Sequence, residues 1–133
     1  LCVLIMVQQV TKGIKISIST RFEGTHFENN TMYFVFSYTI QIENQSNDTV
    51  QLLSRHWDIF DSLNSKEMVE GDGVVGQKPI LSPKQAHTYT SNCFLTSPIG
   101  AMSGYYNMIN FTNTRKFKVQ IPTFQLMASA ILN

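Results

Sequence analysis

An all-β sandwich, two antiparallel sheets packed face to face, is the fold class this sequence predicts. Three observations carry the prediction. Apolar and polar side chains alternate with period two through most of the 133 residues. Clusters of Gly, Pro, Asn, Asp and Ser interrupt the alternation repeatedly, marking eight or so short strands. No segment carries a strong helical stripe. Composition agrees: 43% of the residues are apolar and 14% charged, well below the ~25% charged of a typical globular domain. Ser, Thr, Asn and Gln make up the difference, as exposed strand faces do.

The elements follow in order. In "GIKISISTRF", Ile14, Ile16, Ile18, Thr20 and Phe22 fall on one face, and Lys15, Ser17, Ser19 and Arg21 on the other. "EGTHFENN", Glu23 to Asn30, reads as the turn that follows. "TMYFVFSYTIQIEN" puts Met32, Phe34, Phe36, Tyr38, Ile40 and Ile42 on one fully apolar face, the clearest strand of the chain. "NQSND" supplies a hairpin connection through Asx-turn residues. In "TVQLLSRHWDIFD" apolar residues stand on both faces, Leu53, Trp57 and Ile59 with Arg55 among them on one side and Val50, Leu52 and Phe60 on the other; a β-bulge would reconcile the two sets. "SLNSKE" reads as a turn and "EMVEG" as a short strand. Pro79 and Pro83 confine the next segment to a sheet edge. Ala86 to Leu95 reads as a strand, "TSPIGAMSGYYNMINF" as a loop and then a strand carrying Gly104, and "RKFKVQIP" as a strand with Phe117, Val119 and Ile121 inward. The rest is read as a tail.

The length fits one domain with its own core. Residues 10–133 are assigned to it, and residues 1–9 to an extension or to the start of the first strand. "LCVLIMV" is too short to span a bilayer, which needs ~20 apolar residues, and it lacks the basic start and cleavage site of a signal peptide. The two cysteines, Cys2 and Cys93, make no disulfide framework, so a reducing cytoplasm is the expected setting. Ten Lys/Arg against nine Asp/Glu give a net charge of +1. The cations are scattered, and no nucleic-acid partner is expected.

The chemistry candidates are few. "GDGVVG" spaces Gly71, Gly73 and Gly76 as G-x-G-x-x-G, the pattern of a nucleotide loop. In that role the loop opens a helix whose N-terminus meets phosphate. Pro79 and Pro83 exclude such a helix here, so a turn is the expected role. An anion nest built by the three glycines with Lys78 is the alternative. "SRHWDIF" clusters Arg55, His56, Trp57 and Asp58. As a strand it sets His56 and Asp58 on one face and Arg55 and Trp57 on the other. Trp57 then anchors the core, and His56 with Asp58 faces outward. A metal site would need His26 or His87 from elsewhere, and none is assigned. No G-x-S-x-G elbow supports a hydrolase. "SPIGAMSGYYNMIN" gathers Gly100, Gly104, Tyr105 and Met residues, either as sandwich core or as an interface patch.

The segments "FVFSYTIQIENQS", "VQLLSRHWDIFDS", "VEGDGVVGQKPILSP", "YTS", "SPIGAMSGYYNM" and "IPTFQL" stand in the order seen in the ApaG family. The resemblance runs from about Val10 to Leu126. It implies a fibronectin type III or immunoglobulin-like β-sandwich in a family with no securely assigned enzymatic activity, and neither catalysis nor a cofactor is expected. Family genes often neighbour one for a diadenosine tetraphosphate hydrolase, and the family is linked by name to cobalt resistance and magnesium efflux. Related domains in eukaryotic F-box and polymerase-delta-interacting proteins imply protein binding. The family's glycine signature falls on Gly71, Gly73 and Gly76, with Asp72 where the family usually has Glu. That carboxylate would repel an anion. The expected function is a small binding module. Its unidentified protein partner would be met at a sheet edge or through Arg55, His56, Trp57, Gly100, Gly104 and Tyr105. Pyrophosphate or nucleotide binding, or an indirect role in Co²⁺/Mg²⁺ homeostasis, are the alternatives.

Overall fold

The computed structural model describes residues 6–62 and 66–128. Nine strands fill them: β1 (Met6–Thr11), β2 (Ile14–Glu28), β3 (Thr31–Asn44), β4 (Val50–Asp61), β5 (Glu67–Asp72), β6 (Ile80–Leu81), β7 (Ala86–Leu95), β8 (Ile99–Asn110) and β9 (Lys116–Met127). One sheet runs β1-β2-β3-β7; the second runs β5-β4-β8-β9, with β6 added to β4. All pairings are antiparallel. Among the described residues no helix is long and apolar enough to cross a membrane. Met6 to Thr11 is paired along its length with β2. The apolar residues before it lie outside the described residues, as do 63–65 of the expected turn and 129–133 of the expected tail.

The inward faces follow the alternation. Ile14, Ile16, Ile18, Phe36, Tyr38, Ile40 and Ile42 from the first sheet meet Leu52, Trp57, Tyr106, Met108, Val119, Ile121 and Phe124 from the second. Each large apolar side chain so buried contributes about 1.5–3 kcal/mol relative to exposure. Trp57 sits at the centre, its ring 5.4 Å from Tyr38 and 5.9 Å from Phe124, edge-on to both. The bulge expected in β4 is present: register slips between Leu52 and Ser54. It turns the inward set from Val50 and Leu52 to Trp57, so Phe60 points to solvent.

Two sequence expectations are corrected. Glu23 to Asn30 is not a turn. β2 continues to Glu28, absorbs Glu23 as a bulge just before Gly24, and reverses at Asn29–Asn30. Both asparagines have positive φ, 48° and 61°, which is the type I′ hairpin geometry. The segment after Pro122 is not a tail either: β9 runs on to Met127, burying Phe124 and Leu126. Pro122 is tolerated because it falls where the β8–β9 register slips, opposite Ser103.

Asn44 closes the end of the sandwich. Its fully buried amide donates to the carbonyls of Asp48 and Leu81 at 2.8 and 2.9 Å. Its oxygen accepts from the Ser46 amide and hydroxyl. Among the described residues no buried side-chain polar atom lacks a partner.

Candidate functional site

Past the bulge, even-numbered residues of β4 face outward. Register then sets Glu70 of β5, His56 of β4, Tyr105 of β8 and Gln120 of β9 in one row across the second sheet. The His56 ring stacks on Tyr105, centroids 4.7 Å apart and planes 10° from parallel. Lys118 Nζ lies 4.3 Å from the centre of the same tyrosine ring, a cation–π contact. His56 Nδ1 is 3.0 Å from Glu70 and Nε2 is 3.2 Å from Asp58. Lys66 reaches Asp58 at 3.3 Å. Partial desolvation pushes the Asp58 carboxyl up, but hydrogen bonds from His56 and Lys66 outweigh it and hold the group below its ordinary value. Ser54, Arg55, His56, Glu70, Gly71, Asp72, Tyr105 and Asn107 line an open depression of about 320 Å³ here.

The glycine loop forms one wall. Val74 and Gln77 exchange both backbone hydrogen bonds, Val75 and Gly76 take φ of 47° and 75°, and the result is a tight type I′ turn. The Gly73 amide donates to the Leu53 carbonyl. A Cβ on Gly73 would stand 2.3 Å from the Gln77 carbonyl oxygen, so the close approach itself requires glycine. Arg55 packs its guanidinium over Gly71 and donates to the carbonyls of Asp72 and Gly73, both at 2.9 Å. No helix follows Gly76. Lys78 extends to within 4.0 Å of Asp72, both side chains being largely exposed.

The residues singled out in the sequence thus separate. Arg55, His56, Gly71 and Tyr105 come together at the depression, with Gly73, Gly76 and Lys78 beside it. Trp57 lies beneath in the core, 3% exposed. Gly104 sits under the row, where β8 passes against the His56 carbonyl, and Gly100 performs the same close approach against the Phe60 carbonyl. Glu70, Lys118 and Asn107 escape the sequence reading. Period two in "EMVEGD" and "KFKVQ" places Glu70 and Lys118 outward, but nothing in either segment says that they flank His56 and Tyr105.

Cys93 offers no reactivity: burial pushes its thiol up to about 12. Among the described residues no group of three or more His, Cys, Asp and Glu is placed to hold a metal ion.

An ApaG-domain family profile matches residues 24–110. The chain belongs to the ApaG family. It is 42% identical to Protein ApaG of Methylocella silvestris over 121 residues, covering 91% of this chain and 92% of that one. It is 40% identical to Protein ApaG of Beijerinckia indica subsp. indica over 124 residues, with the same coverage. Among solved structures, Northeast Structural Genomics Consortium target SoR45 superposes with a TM-score of 0.85 at 32% identity, covering 91% of each chain. The putative ApaA protein from Bordetella pertussis superposes with 0.79 at 36% identity, covering 86% of this chain and 93% of its own. The ApaG sandwich is therefore shared along nearly the whole chain.

Proposed function

We propose that this ApaG-family chain is a non-enzymatic protein-interaction module, and that it meets its partner on the outer face of the second sheet around His56 and Tyr105. The stack of His56, Tyr105 and Lys118, flanked by Glu70, carries the reading. It offers an aromatic surface with a polar, charged rim in an open depression, and aromatic residues are enriched at protein interfaces whose rims are polar. Two observations support it over a phosphate cradle. The amides of Gly73, Val74 and Gln77 are already bonded within the protein. Glu70 and Asp72 line the same depression and repel an anion. Against catalysis stands His56, whose two ring nitrogens are both engaged by carboxylates.

The test is affinity capture from native lysate, comparing wild type with Tyr105→Ala and with Lys118→Glu, folding being checked by circular dichroism. The expected result is a binder common to replicate wild-type samples and depleted in both variants. Identical capture by all three proteins would refute the reading. Calorimetry with pyrophosphate and with diadenosine polyphosphates runs beside it. Saturable heat at millimolar ligand would move the assignment to anion binding.

A further inference from the structure

Among the described residues five strands lie at a sheet edge, the two-residue β6 among them, and they are not protected equally. β1 and β9 lie against each other on one side of the sandwich, where the Gln120 amide donates to Thr11 Oγ1 at 3.3 Å. β5 is short and carries Glu67, Glu70 and Asp72, charges that discourage another strand from adding. β7 has none of these devices. Its ten residues, "AHTYTSNCFL", include no Asp, Glu, Lys, Arg or Pro. Its register against β3 runs unbroken from Phe34↔Leu95 to Glu43↔Ala86, without a bulge. Among the described residues nothing pairs with its other side. A long, straight, uncharged edge presents a row of free N–H and C=O groups as a template for one more strand.

We propose that the strand it receives is β7 of a second copy. The two strands run antiparallel about a two-fold axis, with Thr90 opposite Thr90 of the partner subunit. Two four-stranded sheets then become one sheet of eight. The side chains argue for self-pairing. Pairing like with like penalises any charged edge by self-repulsion, and β7 has no charge to repel. The register must keep core faces on one side, since a slip of one residue turns them out. Thr90 on Thr90 meets that condition. It sets Thr88 opposite Asn92 of the partner subunit and Ala86 opposite Phe94 of the partner subunit. All of these lie in the exposed row. Phe94, 51% exposed in the single chain, gains cover beside the small Ala86. Thr90 already shares a hydrogen bond with Thr39 across β3 and β7, Oγ1 to Oγ1 at 2.9 Å. Self-pairing extends that threonine row through the two-fold axis. The surface used is separate from the His56–Tyr105 face, so the inference stands independently of the function proposed above.

One strand pair is small beside the ~1,600 Å² of a standard interface, so association in the range of roughly 10–100 μM is expected. Sedimentation velocity from 1 to 500 μM reads it directly. Thr90→Lys/Asn92→Lys brings like charges together across the axis and is expected to weaken the dimer about tenfold. Thr90→Glu/Asn92→Glu does the same. Mixing the two variants restores association as a heterodimer, which a folding defect could not do. Amide exchange at high concentration is expected to slow on alternate residues of β7. A wild type that stays monomeric throughout the range overturns the proposal. So does a dimer that neither variant weakens, or one whose protected amides lie outside β7.

Discussion

Gly104 and His56 touch through backbone alone: a Cβ on Gly104 would fall 1.9 Å from the His56 carbonyl oxygen. The contact occurs where the β8–β9 register slips between Met102 and Gly104, and where Gly104 pairs with Trp57. The glycine therefore sets both the depth of Trp57 in the core and the height of the His56–Tyr105 stack above it.

Gly104→Ala is expected to cost about 3 kcal/mol or more, because the neighbour that must move is backbone in the middle of a sheet. Urea denaturation measures it. The chain has one tryptophan, so intrinsic fluorescence of the folded variant reports separately whether Trp57 has shifted. A loss below 1 kcal/mol with unchanged emission would show that β4 and β8 part easily here.

Asn44 is the polar counterpart of Trp57. Replacing it by Ala removes the side-chain donor to the carbonyls of Leu81 and Asp48, the latter keeping only the Ser46 hydroxyl at 3.2 Å, and leaves the Ser46 amide without its acceptor. Each unsatisfied buried group costs about 1–3 kcal/mol, and water can reach part of this corner, so a total near 2–4 kcal/mol is expected. Asn44→Asp keeps the acceptor but loses the donor. It is expected to destabilise by a similar amount at pH 7, since a carboxylate would face two carbonyl oxygens. The same denaturation series tests both.

Much of this architecture is legible in the sequence because burial on one face enforces alternation. Phe36, Tyr38, Ile40 and Ile42 had to share a face, and Leu52 with Trp57 required a bulge between them. The extension of β2 was hidden for the converse reason. His26 and Phe27 lie beyond the cover of the second sheet, Phe27 being 64% exposed, and Gly24, Asn29 and Asn30 gave the segment the composition of a turn. The site was harder still. Glu70, His56, Tyr105 and Lys118 come from four strands, and their alignment depends on two bulges whose exact positions no single segment reveals.

Tyr38, Tyr89 and Tyr106 set the alkaline limit of stability. Burial pushes all three hydroxyls above the ordinary tyrosine value, and Tyr89 and Tyr106 share a buried hydrogen bond. In the unfolded chain each loses its proton near pH 10, while the folded protein retains it. Their contribution is therefore complete below pH 10. It declines as pH rises through the interval between the unfolded and folded values, by up to about 1.4 kcal/mol per pH unit for each tyrosine. Stability measured between pH 8 and 12 is expected to be flat and then to fall. Tyr106→Phe is expected to make the fall shallower by one tyrosine's share. An unchanged slope would place the alkaline weakness elsewhere.

The three glycines of the G-x-G-x-x-G motif make a final test, because their geometry ranks them. At Gly71 an added Cβ meets only the mobile end of Arg55, 2.7 Å from Nη2. Gly71→Ala should cost less than about 1 kcal/mol while loosening the grip of Arg55 on the Asp72 and Gly73 carbonyls. At Gly76 the space is open but φ is +75°, so Ala there should cost about 1–2 kcal/mol through left-handed strain alone. At Gly73 positive φ combines with backbone 2.3 Å away, and Gly73→Ala should exceed about 3 kcal/mol. A phosphate cradle would predict another order, since its glycines are selected by how close the ligand comes and not by the protein's own carbonyls. Thermal unfolding of the three variants without ligand distinguishes the cases. Losses ordered Gly73, Gly76, Gly71 mark a turn held by its own backbone, and equal small losses would point to glycines kept for something outside the chain.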